Sequence, residues 1–268
     1  MVNKILFLLF LAFSSFNCVP VESDGVPPNA PVLIDSTLFF SLNETGSGIR
    51  PDPNSTGIII DWNQNPENKV TDYELYRTNL SLGGEPFGFK PITKFSNSGI
   101  FSFVDTVNVS IDTLYFYKMK AYNSDLQSEF SNIVSYQLLE KPIINSPNIE
   151  VVDTAKLKFT WTILGTSSNF VIRVREARTH KYVWALLTQP KTFDAEQSIL
   201  YGEKYDVDGS PKQAKVFHLP EKLNTASGKN EYEWKISLTS SFSVNASGIV
   251  NFKNGKGSSS AWTTFKTK

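Results

Sequence analysis

The sequence predicts an all-β protein made of two antiparallel β-sandwiches in tandem. Three observations lead there. First, two long stretches alternate strictly. In residues 113–123, Tyr115, Tyr117, Met119 and Ala121 share one face while Phe116, Lys118 and Lys120 share the other. In residues 230–238, Tyr232, Trp234, Ile236 and Leu238 oppose Glu233, Lys235 and Ser237. A period of two marks a strand with one buried face, and two copies of such a strand suggest two copies of one domain. Second, short alternating runs recur between Gly, Pro and Asn turn signals, and no stretch carries a convincing helical period. Third, 268 residues leave room for two domains of over about 100 residues each, enough to build cores without disulfides. The 13% aromatic content, with 20 Phe and 10 Tyr, suits pleated, half-buried surfaces.

The chain starts with a targeting segment. Lys4 supplies a positive start and residues 5–13 are an unbroken apolar run. Residues 1–17 therefore read as a signal peptide, too short to span a bilayer. Cys18 is the only cysteine, so no intramolecular disulfide can form. Taken alone it is either an idle thiol in a leader or a lipid attachment site. The stretch Ser14-Ser15-Phe16-Asn17-Cys18 resembles the bacterial lipoprotein signal, whose lipobox ends at an invariant cysteine. Ser15 and Asn17 stand where Leu and a small residue are usual, as in the relaxed lipobox of spirochaete lipoproteins. That resemblance implies cleavage before Cys18, acyl chains on Cys18 and anchoring in the cell envelope at the outer membrane. Two or more acyl chains hold a protein firmly at a bilayer.

Residues 18–30 are expected to form a tether. Prolines 20, 27, 28 and 31, with Gly25, exclude a helix or a central strand and favour an extended spacer. The first domain is expected over residues 31–139. Its strands are read at residues 32–34, 57–62, 72–77, 87–94, 99–104, 113–123 and 130–136, with a loop over 43–57 and a break at Gly83-Gly84.

Trp62, then Tyr73-Glu74-Leu75-Tyr76-Arg77, then Thr113-Leu114-Tyr115-Phe116-Tyr117-Lys118-Met119-Lys120-Ala121, then Ser128-Glu129-Phe130-Ser131-Asn132 resemble a bacterial fibronectin type III domain in order and spacing. The resemblance covers roughly residues 28–138. It implies that Trp62 is a core residue and that Tyr115 forms a tyrosine corner, its hydroxyl bonding back to the backbone.

The second domain is expected over residues 140–268. Leu157-Lys158-Phe159-Thr160-Trp161 places Trp161 where Trp62 stands in the first copy. The spacing from Tyr232 to Ile236 equals that from Tyr115 to Met119, so Tyr232 is the second structural tyrosine. Residues 170–176 and 182–188 are read as strands. Residues 189–215 are read as a polar insertion before a fifth strand at 216–220. Residues 239–260 are read as a long loop with a hairpin turn at Asn254-Gly255. That loop either carries function or extends its flanking strands through Phe242, Val244, Val250 and Phe252.

Catalytic chemistry is absent from the sequence by this reading. There is no nucleophile elbow, phosphate loop or metalloprotease motif. His180 and His218 lack neighbours at metal-ligand spacing. Glu203, Asp206 and Asp208 form at most a loose calcium site, because Pro211 and Phe217 stand where a calcium loop needs Gly and Glu. No cofactor is expected. With 26 basic and 26 acidic side chains, nucleic acid is not an expected partner. Function is expected to lie in binding or scaffolding, an adhesin included, through a protein or glycan ligand and the membrane anchor on Cys18. The alternative is a carbohydrate-binding or carbohydrate-active surface protein with Trp184 and Trp262 as a stacking platform, although both also suit core packing.

Overall fold

The computed structural model describes residues 25–35, 48–67, 69–164, 169–188, 196–203, 215–239, 242–244, 250–252 and 255–268. Residues 1–24 lie outside them, Cys18 and the expected leader among them, as do Asp206 and Asp208.

The described residues are all-β apart from one 3₁₀ turn at Thr154–Lys156. Its first half holds β1 (Val32–Leu33), β2 (Arg50–Pro51), β3 (Ile58–Asn63), β4 (Asp72–Thr78), β5 (Leu80–Leu82), β6 (Glu85–Phe87), β7 (Lys90–Ser96), β8 (Ser102–Asp105), β9 (Leu114–Asn123), β10 (Leu126–Gln127) and β11 (Val134–Leu138). β3 pairs with β1, β2 and β8 in one layer. The other layer runs β7-β4-β9-β11. Side chains from both layers form one core: Ile58, Ile60 and Trp62 meet Tyr73, Leu75, Tyr117 and Met119.

The second half repeats the scheme with β12 (Ile143–Ser146), β13 (Val151–Val152), β14 (Lys158–Thr162), β15 (Asn169–Glu176), β16 (Tyr182–Thr188), β17 (Glu196–Leu200), β18 (Lys215–His218), β19 (Glu231–Thr239), β20 (Phe242–Val244), β21 (Val250–Phe252), β22 (Lys256–Ser259) and β23 (Thr263–Thr267). β12-β14-β17 is one layer and β18-β16-β15-β19 the other, with β22 and β23 both on β19. A second core gathers Phe159, Trp161, Phe170, Trp184, Trp234 and Phe265.

Four sequence expectations are corrected. Gly83-Gly84 is the turn of the β5–β6 hairpin, both residues at positive φ, a conformation only glycine adopts without strain. Phe130 precedes the closing strand, which starts at Val134. There the hydroxyls of Ser128 and Ser131 accept from Ala121 and Met119 N–H at 2.9 Å, so side chains satisfy donors of β9 where the regular ladder is broken. Within the expected insertion, Glu196–Leu200 is a full strand that pairs with all of β14 in the role of the fifth strand. Residues 215–218 instead join β16 in the opposite layer. With only two apolar side chains in five, β17 shows too little alternation to be seen alone. Finally, Asn254 lies outside the described residues, and Gly255 leads into β22, which pairs with β19. β21 pairs with β20, so the hairpin lies one connection earlier.

The two halves meet through an edge. β11 pairs in parallel with β22, and the main layers become one 12-stranded sheet. Gln137 N–H donates to Gly255 C=O (2.8 Å) and Leu139 N–H to Gly257 C=O (2.9 Å). Ser258 Oγ donates to Glu140 C=O and Lys141 Nζ to Pro53 C=O. A Cβ on Gly257 would lie 2.4 Å from Leu238 O and 2.9 Å from Tyr136 Oη, so this three-strand approach requires glycine.

Two outcomes follow from this packing. Gly257→Ala should cost roughly 1–3 kcal/mol through overpacking, read as a lower midpoint in chemical denaturation. Ser131→Ala and its counterpart Ser260→Ala, whose hydroxyl receives Ile236 N–H at 3.2 Å, each strand a buried donor. Each should cost about 1–3 kcal/mol in the same measurement, and a cost near zero would show that the hydroxyls are dispensable.

Candidate functional site

The tyrosine expected at each corner is placed as follows. Tyr115 is buried; its hydroxyl accepts from Ser110 N–H (3.0 Å) and donates to Asn108 C=O (3.2 Å). Tyr232 is buried and its hydroxyl accepts from Asn224 N–H at 2.7 Å. Trp62 and Trp161 are buried on β3 and β14. Trp62 packs against Tyr73, Phe95 and Phe101, and Trp161 against Phe170. All four spend their surface on the cores, and none lies where a ligand could reach it.

Trp184 has no exposed surface and packs against Phe159 and Tyr201. Of the two readings of Trp184, core packing holds and the surface platform with Trp262 does not: β16 turns Trp184 into the core. Trp262 is half-buried, with the Arg175 guanidinium 3.8 Å from its ring and Tyr182 beyond. His180 Nδ1 lies 3.3 Å from Glu233, which also pairs with Arg175; His218 lies 3.3 Å from Glu221. Among the described residues, no group of three His, Cys, Asp or Glu side chains could hold a metal ion.

The two main layers have equivalent outward faces, and these differ. On the second half that face is closed: Val171, Arg173, Ala185, Leu187, Lys235 and Ser237 are all buried. On the first half it is open. Alternation along β9 turns Phe116, Lys118, Lys120 and Tyr122 outward, and β4 adds Glu74 and Tyr76. Register sets them in rows. Glu74 sits between Lys94 of β7 and Lys120 of β9, and Tyr76 beside Lys118. Phe130, displaced from the ladder by the serine bonds, folds over this face with its ring edge-on to Tyr76 at 5.1 Å.

Lysines and rings interleave there. Lys118 Nζ lies 3.6 Å from the Phe130 centroid and 4.3 Å from that of Phe89. Lys120 Nζ lies 4.5 Å from Phe130, and Lys94 Nζ 3.9 Å from Tyr122. Such contacts contribute about 0.5–1 kcal/mol each at exposed sites. Glu74 is the anion at the centre, and its carboxylate accepts from the hydroxyls of both Tyr76 and Tyr122. Burial opposes its ionisation, but the two hydroxyls with Lys94 and Lys120 outweigh burial and hold its carboxyl below the usual range. Burial, and then Glu74, push the Tyr76 and Tyr122 hydroxyls upward. Burial and then the Lys120 charge draw the Lys118 ammonium downward. Two ammonium groups, those of Lys94 and Lys120, thus flank a carboxylate that is already engaged by two phenols, and Lys118 stands one row away beside Tyr76. The face is aromatic and carries more lysines (Lys94, Lys118, Lys120) than carboxylates (Asp72, Glu74), in a chain whose overall charge is balanced.

The alternation in residues 113–123 already separated Phe116, Lys118 and Lys120 from the core residues. Glu74, Tyr76, Lys94 and Phe130 escaped notice because their meeting depends on strand register and on a displaced segment, neither visible in periodicity.

No protein-family model matches this chain, and no curated protein matches it. Its structural neighbours are fibronectin type III proteins. An Fn3-like protein from Clostridium thermocellum is 19% identical over 42% of this chain and 94% of its own, with a TM-score of 0.30. The chicken CNTN1 FN1–FN3 domains are 15% identical over 91% of this chain and 69% of their own, with a TM-score of 0.33. A fibronectin type III domain of human fibronectin type III domain containing protein 3 is 22% identical over 42% of this chain and 88% of its own, with a TM-score of 0.29.

The electrostatics of Glu74 set a pH dependence. Its folded pKa lies below the reference 4.5. Its contribution to stability is therefore present above that reference and disappears as pH falls through the folded value. Glu74→Gln should accordingly lower the denaturation midpoint at pH 7 and lose that effect progressively below about pH 4. A stability gap that stays constant from neutral to acid pH would show that ionised Glu74 does not hold the face together.

Proposed function

We propose that this chain is a lipid-anchored bacterial envelope protein, made of two fibronectin type III-like domains over residues 31–139 and 140–268, that acts as a non-catalytic binding or scaffold module. Its partner is a protein, bound on the outward face of β4, β7 and β9. The observation that carries this reading is the contrast between the two equivalent faces. The second half buries its own, while the first half leaves rings and ammonium groups at the surface, where they build no core. Aromatic side chains with a few charges at the centre of a patch are the usual anchors of protein interfaces. The surplus of lysine over carboxylate selects a partner with an acidic, apolar-centred surface. The leader and Cys18 supply the anchor in this reading, and the proline-rich tether lifts the folded part from the bilayer.

The test has two stages. Protease is applied to intact and lysed cells that carry the full chain, with a periplasmic protein as control. Cleavage on intact cells assigns the chain to the outer surface and directs the search for partners to molecules outside the cell; cleavage only after lysis assigns it to the periplasm. Partners captured by the full chain are then measured against a folded Lys118→Glu, Phe130→Ala variant. The expected result is at least about a tenfold loss of affinity. Equal binding by the variant would sink the assignment of this face.

A further inference from the structure

A different part of the first half carries an interaction surface of its own. We infer that the free edge of β8 pairs with the β8 of a second copy of this chain. Among the described residues β8 has one neighbour, β3, with Ile58 opposite Asp105, Ile60 opposite Phe103, and Trp62 N–H donating to Phe101 C=O at 3.1 Å. In an antiparallel ladder, directly bonded pairs alternate with unbonded ones. Phe101, Phe103 and Asp105 therefore aim their backbone groups at β3, while Ser102 and Val104 aim theirs away from it. Among the described residues, neither Ser102 nor Val104 has a backbone partner on that side.

The edge is open and firmly held. Ile100 is 66% exposed and Val104 40%, with Ser102 and Thr106 exposed beside them. On the inner side Phe103 stacks on Phe95 at 5.5 Å, and Phe101 meets Trp62 edge-on at 6.3 Å. Asp105, the strand's one charged residue, is turned inward, where Arg77 and the Tyr117 hydroxyl hold its carboxylate. Burial would weaken the Arg77 guanidinium's hold on its proton, but Asp105 outweighs that and raises its pKa.

Other edges of this molecule carry the features that block pairing. β7 presents Lys90, Pro91 and Lys94. β17, the counterpart of β8 in the second half, carries Glu196, and its Leu200 carbonyl already accepts from Glu203 N–H at 3.2 Å. β11 is covered by β22. β8 has none of these guards.

A second copy fits by register. Antiparallel pairing about a two-fold axis at Phe103 sets Ser102 against the partner's Val104 and, by symmetry, Val104 against the partner's Ser102. Both are outward-aimed, so both pairs exchange two N–H···O=C bonds. On the outer face Ile100 then meets the partner's Thr106. The cross-strand pairs are β-branched or small, and no charge meets its own copy. A contact of this size is weak and concentration-dependent.

Sedimentation equilibrium of the full chain in a non-ionic detergent, from about 1 to 300 µM, reads it. The expected result is a reversible monomer–dimer equilibrium. Ser102→Lys with Val104→Lys places like charges opposite one another and should weaken association at least about tenfold. Val104→Pro, which deletes one outward donor and adds no charge, should weaken it as well. Tryptophan emission confirms that each variant is folded, since Trp62 lies on the neighbouring strand β3, against Phe101 at the start of this edge. A chain that stays monomeric throughout overturns the inference and leaves the edge to a strand from another protein. So does a dimer that survives unchanged in the folded variants.

Discussion

A strand edge is a row of unpaired donors and acceptors, and closing those rows shapes much of this molecule. The most consequential closure is the parallel pairing of β11 with β22, which joins the two main layers into one sheet. It depends on Gly257, whose missing side chain lets β22 lie against both β11 and β19. Without that approach β11 would be a bare edge and the two main layers would be separate sheets. With it, one long surface is continuous across both halves, and its chemistry changes where one half gives way to the other.

The halves solve the same local problems by the same means. Each has a core-facing tryptophan on the central strand of one layer, β3 or β14. Each anchors its corner through a tyrosine hydroxyl bonded to the backbone, at Tyr115 and Tyr232. Each uses a serine, Ser131 or Ser260, to accept the N–H four residues beyond that tyrosine where the last strand leaves the ladder. In the first half that departure has a consequence beyond the backbone, because it carries Phe130 over the lysines of the outer face. A device that satisfies buried donors thereby also completes the aromatic part of the candidate interface.

The outer faces show how differently the two halves treat charge. Arg173 and Lys235 lie on the second half's face and are buried, so their side chains are absorbed into the fold. Lys94, Lys118 and Lys120 lie on the first half's face among rings, with Lys94 and Lys120 either side of the Glu74 carboxylate that two phenols hold. Cation–π contact fixes where the ammonium groups stand without neutralising them, and the one Glu74 carboxylate between Lys94 and Lys120 offsets only part of their charge. The face therefore keeps a positive potential at defined positions, which is what a docking surface requires and a core does not.

Much of the fold was legible in the residues. The period of two in residues 113–123 and 230–238 marked the two central strands, their inward faces and the composition of the outward one, because side-chain direction along a strand depends only on position in the chain. The tryptophans and tyrosines at matching spacing marked the repeat for the same local reason. What periodicity could not carry was decided between strands. The role of β17, the transfer of β18 to the other layer, the burial of Trp184 and the gathering of Glu74, Tyr76, Lys94 and Phe130 each depend on which backbone lies alongside which. That choice is set by hydrogen bonds and packing between segments far apart in sequence. A strand carries the alternation of its own side chains, but its neighbour is selected only when the whole sheet closes.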